Sequence, residues 1–222
     1  TLPSNLGLTV GGNIDYVLVE TVNPYLHNEI YIVLAKALLG KYFKTENENA
    51  DFAEYKNDGK NIPYRIITEF KGKDIEGCEY EQLLPYDANS LKVIEEITPG
   101  AKPFRVLVDT FVTTEDGTGI VHTAPAFGAD DYKVGKKYNI GILTMVDREG
   151  KFVDGLGEFS NRYVKNYKDD PNYVDVNVDI SVKLKKENRA FKVEKYEHNY
   201  PHCWRTDKPI LYYPLDAWFI KT

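Results

Sequence analysis

Cysteine is scarce in this sequence: in 222 residues only Cys78 and Cys203 carry a thiol, and they lie far apart. Two distant thiols make no disulfide framework, so the fold must rest on an ordinary hydrophobic core, and the usage suits a reducing cytoplasm. Long apolar runs are missing too. The longest, residues 30–39, is broken by Lys36 and preceded by Glu29. That falls well short of the ~20 residues a bilayer requires, so neither a membrane span nor a signal peptide is expected. Positive charge is in deficit, with 28 Lys and Arg against 34 Asp and Glu, a net charge of −6. Such a chain is poorly suited to gripping a long stretch of phosphate backbone. If its substrate is nucleic acid, it holds a short end while a larger protein supplies most of the affinity. Internal repeats and low-complexity tracts are absent as well.

The ends read as cut. The chain opens on Thr1-Leu2-Pro3-Ser4-Asn5 without an initiator Met and closes on an apolar run, residues 211–220, that includes Trp218 and Phe219. Exposed Trp and Phe at a terminus are unusual for an independent domain, so the expectation is one domain, residues 1–222, excised from a larger protein.

Strand-like segments dominate what is present. Residues 16–22 are rich in β-branched side chains and stop at Asn23-Pro24. Residues 29–34, 64–70, 104–112 and 119–123 are further strands. Residues 35–39 favour helix, with Gly40 as an interruption, and the polar stretch 45–61 reads as a surface loop. A helix is predicted over 128–138, with Asp130 and Asp131 in its first turn, where the helix dipole favours acids. Asp147-Arg148-Glu149-Gly150 forms a turn. Residues 174–184 alternate apolar and polar, the strand period, yet Val176, Ile180 and Leu184 also share a helix face, and a helix from about residue 179 is preferred. The sum is an α+β, strand-rich domain with a few packed helices, its many short strands suggesting a barrel or closed sheet.

Chemistry concentrates in residues 109–132, and within them in the block Gly117-Thr118-Gly119-Ile120-Val121-His122-Thr123-Ala124-Pro125-Ala126-Phe127-Gly128-Ala129-Asp130-Asp131-Tyr132. The two glycines permit positive φ or close approach of a ligand to the backbone. His122 ends a strand and the paired carboxylates open the next helix, so a small polar or zwitterionic ligand would find a His, two acids and helix N–H groups together. The structural alternative is a tight turn, a packed histidine and a good helix start.

This block resembles the signature of the editing domain, the connective insertion, of isoleucyl-tRNA synthetases. Thr1-Leu2-Pro3-Ser4-Asn5 is similar to that family's exit from the catalytic domain. Asp147-Arg148-Glu149-Gly150-Lys151-Phe152 is similar to a further family block. Tyr200-Pro201-His202-Cys203-Trp204-Arg205, with residues 218–221, resembles the return, so residues 1–5 and about 200–222 would be the connections. The resemblance implies a β-barrel-like editing fold and hydrolysis of valine from mischarged tRNA(Ile), with valyl-adenylate as a second substrate. It implies catalytic roles for Asp131, which would bind the substrate's α-amino group, and for His122, which would line the pocket and shut out isoleucine. Thr1, Asn5, Gly117, Thr118, Gly119, Phe127 and Asp130 would bind substrate, Thr1 and Asn5 from the opposite wall and Phe127 against the terminal adenosine. The family's threonine-rich peptide ends at Thr1, so its other threonines lie upstream.

The implied logic is a double sieve. One methylene is worth only about 1–3 kcal/mol in a pocket, a limit for which isoleucine against valine is the standard illustration, so a second, smaller site must remove the error. The partners implied are the aminoacylated 3′ end of tRNA(Ile) and the parent's catalytic domain. No cofactor is expected in this domain, since ATP and Mg belong to the parent, and no metal. His198, His202 and Cys203 would give zinc three ligands without a fourth, because Thr206 stands where the family often has a second cysteine. The rival from another class is a non-catalytic spacer or tRNA-docking insertion.

Overall fold

The computed structural model describes residues 2–84, 90–195, 199–212, 214, 217, 218 and 220. Thr1 and His198, singled out above, lie outside them. Two three-stranded sheets organise the chain. The first has strand β1 (Gly7–Val10) at its centre, parallel to β5 (Arg105–Val108) and antiparallel to β6 (Ile120–Thr123). The second has β2 (Asp15–Val22) between β3 (Glu29–Ala35) and β4 (Tyr64–Lys71), both antiparallel to it. The β2–β4 register slips between Leu18 and Val19, so Ile67 has no direct partner there and stands exposed.

The α+β, strand-rich class holds, but the expected closed barrel does not form among the described residues. The reason lies in the turn after β1. Ile14 N–H donates to Gly11 carbonyl at 3.0 Å, and the chain leaves the first sheet to start the second. A small apolar cluster of Val10, Tyr16, Ala35 and Leu38 fills the junction between the sheets. The buried Tyr16 hydroxyl, 3.0 Å from Gly11 N and 2.6 Å from Gly119 O, ties them together there.

Helices cover the first sheet. The largest cluster unites Leu6 and Leu107 with Ile94 from α2 (Ser90–Ile97), Val134 from α3 (Ala129–Tyr138) and Val176, Ile180 and Leu184 from α4 (Val176–Lys186). In α4 the helical period wins: Val176, Ile180 and Leu184 are buried while Val178 and Val182 face solvent. The helix starts three residues earlier than expected because the Asp175 side chain accepts from Asn177 N–H at 2.9 Å and caps it.

Three further expectations need correction. Gly40 does not interrupt a helix but lies inside α1 (Leu39–Tyr42), which follows a 3-10 turn, Lys36–Leu38. The 45–61 loop contains two short 3-10 turns, Thr45–Asn47 and Phe52–Glu54. The strand expected over 104–112 is only four residues long: Phe104, with a φ of +60°, stands just before its start, and it stops at Val108, where its partner β1 stops at Val10. Among the described residues no helix is long and apolar enough to cross a membrane.

Candidate functional site

The site is one strand–loop–helix unit, β6, residues 124–128 and α3, set against the segment that leads into β1. Residues 123–126 are buried, and Thr123 Oγ1 meets Thr9 Oγ1 at 2.6 Å across the sheet. Gly135 lets α3 sit directly on the loop, because a Cβ there would lie 2.6 Å from Pro125 Cγ.

Asp131 is partly buried in the first turn of α3. Its Oδ2 accepts a hydrogen bond from Ala124 N–H at 2.8 Å, folding the loop back onto the helix start. Burial raises its carboxyl pKa, with the neighbouring Asp130 adding to the rise and the Ala124 N–H opposing it. Its ionised form is therefore less favoured here than on an exposed surface. Asp130 stands apart: it is exposed and pairs with Lys133 at 3.0 Å, an arrangement worth little in solvent.

His122 pairs in register with Leu8 of β1. Asn5, 5% exposed, stands beside it with Nδ2 2.8 Å from His122 Nδ1. The same Nδ2 donates to Gly7 carbonyl at 2.8 Å and lies 3.3 Å from Thr123 carbonyl, while Asn5 Oδ1 accepts from the Tyr80 hydroxyl. His122 Nε2 is buried without a hydrogen-bond partner among the described residues. Burial lowers the imidazole pKa to about 4, so His122 is neutral at physiological pH and a weak base. Tyr80 joins the cluster with no sequence signal, since it lies 75 residues from Asn5.

Gly117, Thr118 and Gly119 sit at the other end of β6, on the junction with the second sheet. Their carbonyls accept from Tyr42 hydroxyl at 2.8 Å, Ala35 N–H at 2.8 Å and Tyr16 hydroxyl at 2.6 Å respectively. Both glycines have the positive φ expected, +66° and +74°, and a Cβ on Gly119 would lie 2.5 Å from Ala35 Cβ. Thr118 borders a groove of about 410 Å³ shared with Ile32, Leu34, Tyr42, Leu184 and Phe191. Three residues of strand, about 10 Å, separate this loop from His122. Phe127 is partly buried against the main core, and its N–H closes a turn onto Ala124 carbonyl at 2.8 Å. The structure thus brings Asn5 to His122 and sets Asp131 on the same unit, and gives Gly117, Thr118, Gly119 and Asp130 bonding partners elsewhere.

The unit carries a held carboxyl group and an uncharged imidazole. A carboxylate so placed can bind and align a cation, whereas His122 is poorly suited to moving protons at neutral pH.

No family model matches the chain, whereas individual proteins match all of it. It is 50% identical to the isoleucine–tRNA ligase of Cytophaga hutchinsonii over 245 aligned residues, taking in 100% of the chain and 21% of that protein. It is 45% identical to that of Bacteroides fragilis over 252 residues, again 100% of the chain and 21% of the relative. With the Clostridium novyi isoleucine–tRNA ligase the figures are 39% over 221 residues, 100% and 17%. The chain therefore spans about a fifth of the length of the curated relatives it matches. Identity of this order over the entire chain places it among the segments of aminoacyl-tRNA ligases that it resembles from end to end. Within that class it belongs to the isoleucine–tRNA ligase family, in agreement with the resemblance carried by residues 117–132.

Proposed function

We propose that this segment is an editing domain that hydrolyses the ester of valine wrongly joined to tRNA(Ile), and valyl-adenylate, while excluding isoleucine. The observation that carries the proposal is the Asp131 carboxyl group, partly buried and held by Ala124 N–H at the start of α3, on the same strand–loop–helix unit as His122. An aminoacyl ester retains a positive α-amino group, and a fixed carboxylate both binds it and aligns the neighbouring carbonyl for attack by water. His122 supplies an uncharged wall that limits side-chain size. The partners are the aminoacylated 3′ end of tRNA(Ile) and the catalytic domain of the same enzyme, which uses ATP and Mg to attach isoleucine in the cytoplasm. The negative net charge suits a module that holds only that end.

The test is deacylation of Val-tRNA(Ile) and Ile-tRNA(Ile) by the full-length synthetase, with and without Asp131→Asn. Fast loss of valine, retention of isoleucine and a slowed variant support editing. Equal rates for parent and variant would point to the docking or spacer role instead.

A further inference from the structure

The amide of Asn5 has two hydrogens and three acceptors around it: Gly7 O at 2.8 Å, His122 Nδ1 at 2.8 Å and Thr123 O at 3.3 Å. Carbonyl oxygens only accept, and two of them face Nδ2, so the amide has one consistent orientation, with Oδ1 toward the Tyr80 hydroxyl. Burial pushes the Tyr80 pKa up, which keeps that hydroxyl protonated and donating. With Nδ2 fixed as a donor, His122 Nδ1 must be the bare nitrogen, because a hydrogen on it would point at the amide's own hydrogens. The ring's single proton then sits on Nε2.

We infer that Asn5 is a positioning residue that locks His122 into the uncharged tautomer protonated at Nε2, so that the ring meets a cationic aminoacyl group as a neutral hydrogen-bond donor rather than as a second cation. The inference rests on the editing function proposed above and adds a reason for Asn5 to be amide and not acid. A positive imidazole on this unit would repel the substrate's ammonium and compete with it for Asp131. Protonation would have to place the new hydrogen on Nδ1, against the Asn5 amide, a cost separate from the burial that already lowers the pKa of the ring. The Asn5 amide is the group bonded to the ring, and it is itself held by the Gly7 and Thr123 carbonyls and the Tyr80 hydroxyl. On β1 the residue opposite is Leu8. The carboxylates on the adjoining segments are engaged elsewhere, Asp116 with Lys41 and Asp131 with Ala124 N–H.

The experiment follows deuterium exchange of the His122 C2 hydrogen by mass spectrometry in the full-length synthetase, across pH and without substrate. The unsubstituted enzyme should titrate below an ordinary histidine; an ordinary midpoint overturns the inference without any variant. In Asn5→Asp, which replaces the donor by an acceptor of the same shape, the midpoint should rise by two units or more. Val-tRNA(Ile) deacylation by that variant should then fall several-fold as pH drops through the new midpoint. An unchanged midpoint in Asn5→Asp also overturns the inference. Because the titration needs no substrate, it can fail while editing stands, and editing can fail while the titration stands.

Discussion

Replacing Asp131 with Asn separates chemistry from packing, because the two roles of this side chain respond in opposite directions. The amide oxygen of Asn can accept from Ala124 N–H as Oδ2 does now at 2.8 Å, so the loop over α3 keeps its anchor. Burial raises the carboxyl pKa above 3.8, which fixes the sign of its effect on folding. A group whose native pKa is raised favours the fold most below its unfolded pKa, and that contribution is lost as pH climbs through the native value. At pH 7 the charge is therefore a burden on stability, and Asp131→Asn should melt at or above the parent temperature. Asp131→Ala is different: it strands the Ala124 N–H and should cost about 1–3 kcal/mol. Editing should behave the other way. Losing a charge-assisted hydrogen bond to the ammonium removes about 1.5–3 kcal/mol, roughly 10- to 150-fold in kcat/KM for Val-tRNA(Ile). The assay is deacylation by the full-length synthetase, alongside melts at pH 7. A variant that deacylates at the parent rate, or one that melts as low as Asp131→Ala, would refute the reasoning.

His122→Ala should enlarge the pocket and make the synthetase hydrolyse Ile-tRNA(Ile), which the parent spares; continued sparing removes His122 from the sieve. Because the His122 pKa falls to about 4 in the folded chain, stability should be complete above pH 6.5 and decline as pH drops from 6.5 toward 4. That decline, read as the difference from His122→Gln in denaturant melts, should be at most roughly 3 kcal/mol. Gly119→Ala should destabilise by about 1–3 kcal/mol, since it combines a φ of +74° with a contact 2.5 Å from Ala35 Cβ. Gly117→Ala, at +66° with open space around it, should cost about 1 kcal/mol; equal melting of the two would contradict the sheet-to-sheet contact.

Elements written in local chemistry are legible in the sequence. Residues 16–22 and 64–70 carry β-branched or alternating side chains and become β2 and β4, and the acids at 130 and 131 mark the start of α3. Elements that depend on distant partners are not. β1 has only four residues before Gly11-Gly12, and it is a strand because β5 and β6 arrive on either side. The helix Ser90–Ile97 buries Ser90 and Ile94, too short a stripe to betray a period. In α4 the alternating valines mimic a strand until packing shows that Val178 and Val182 face water. The site divides likewise. The placement of His122 and Asp131 on one strand–loop–helix unit follows from a nine-residue separation, whereas the contacts of Asn5 with His122 and Tyr80 span 117 and 75 residues and leave no local mark.

The placement of β1 has a kinetic consequence. Its partners are residues 105–108 and 120–123, so the strand leaves the ribosome roughly a hundred residues before anything can pair with it. At about 5–20 residues per second that is a wait of roughly 5–20 s. The second sheet, closed by neighbours between residues 15 and 71, can nucleate during this interval, beginning with the β2–β3 hairpin, whose short connection between Val22 and Glu29 costs little closure entropy. The contact between Asn5 and His122 comes after. Folding in this order gives the histidine its environment only after the second sheet can have formed, and a nascent chain stalled before residue 120 would hold its second sheet but no site.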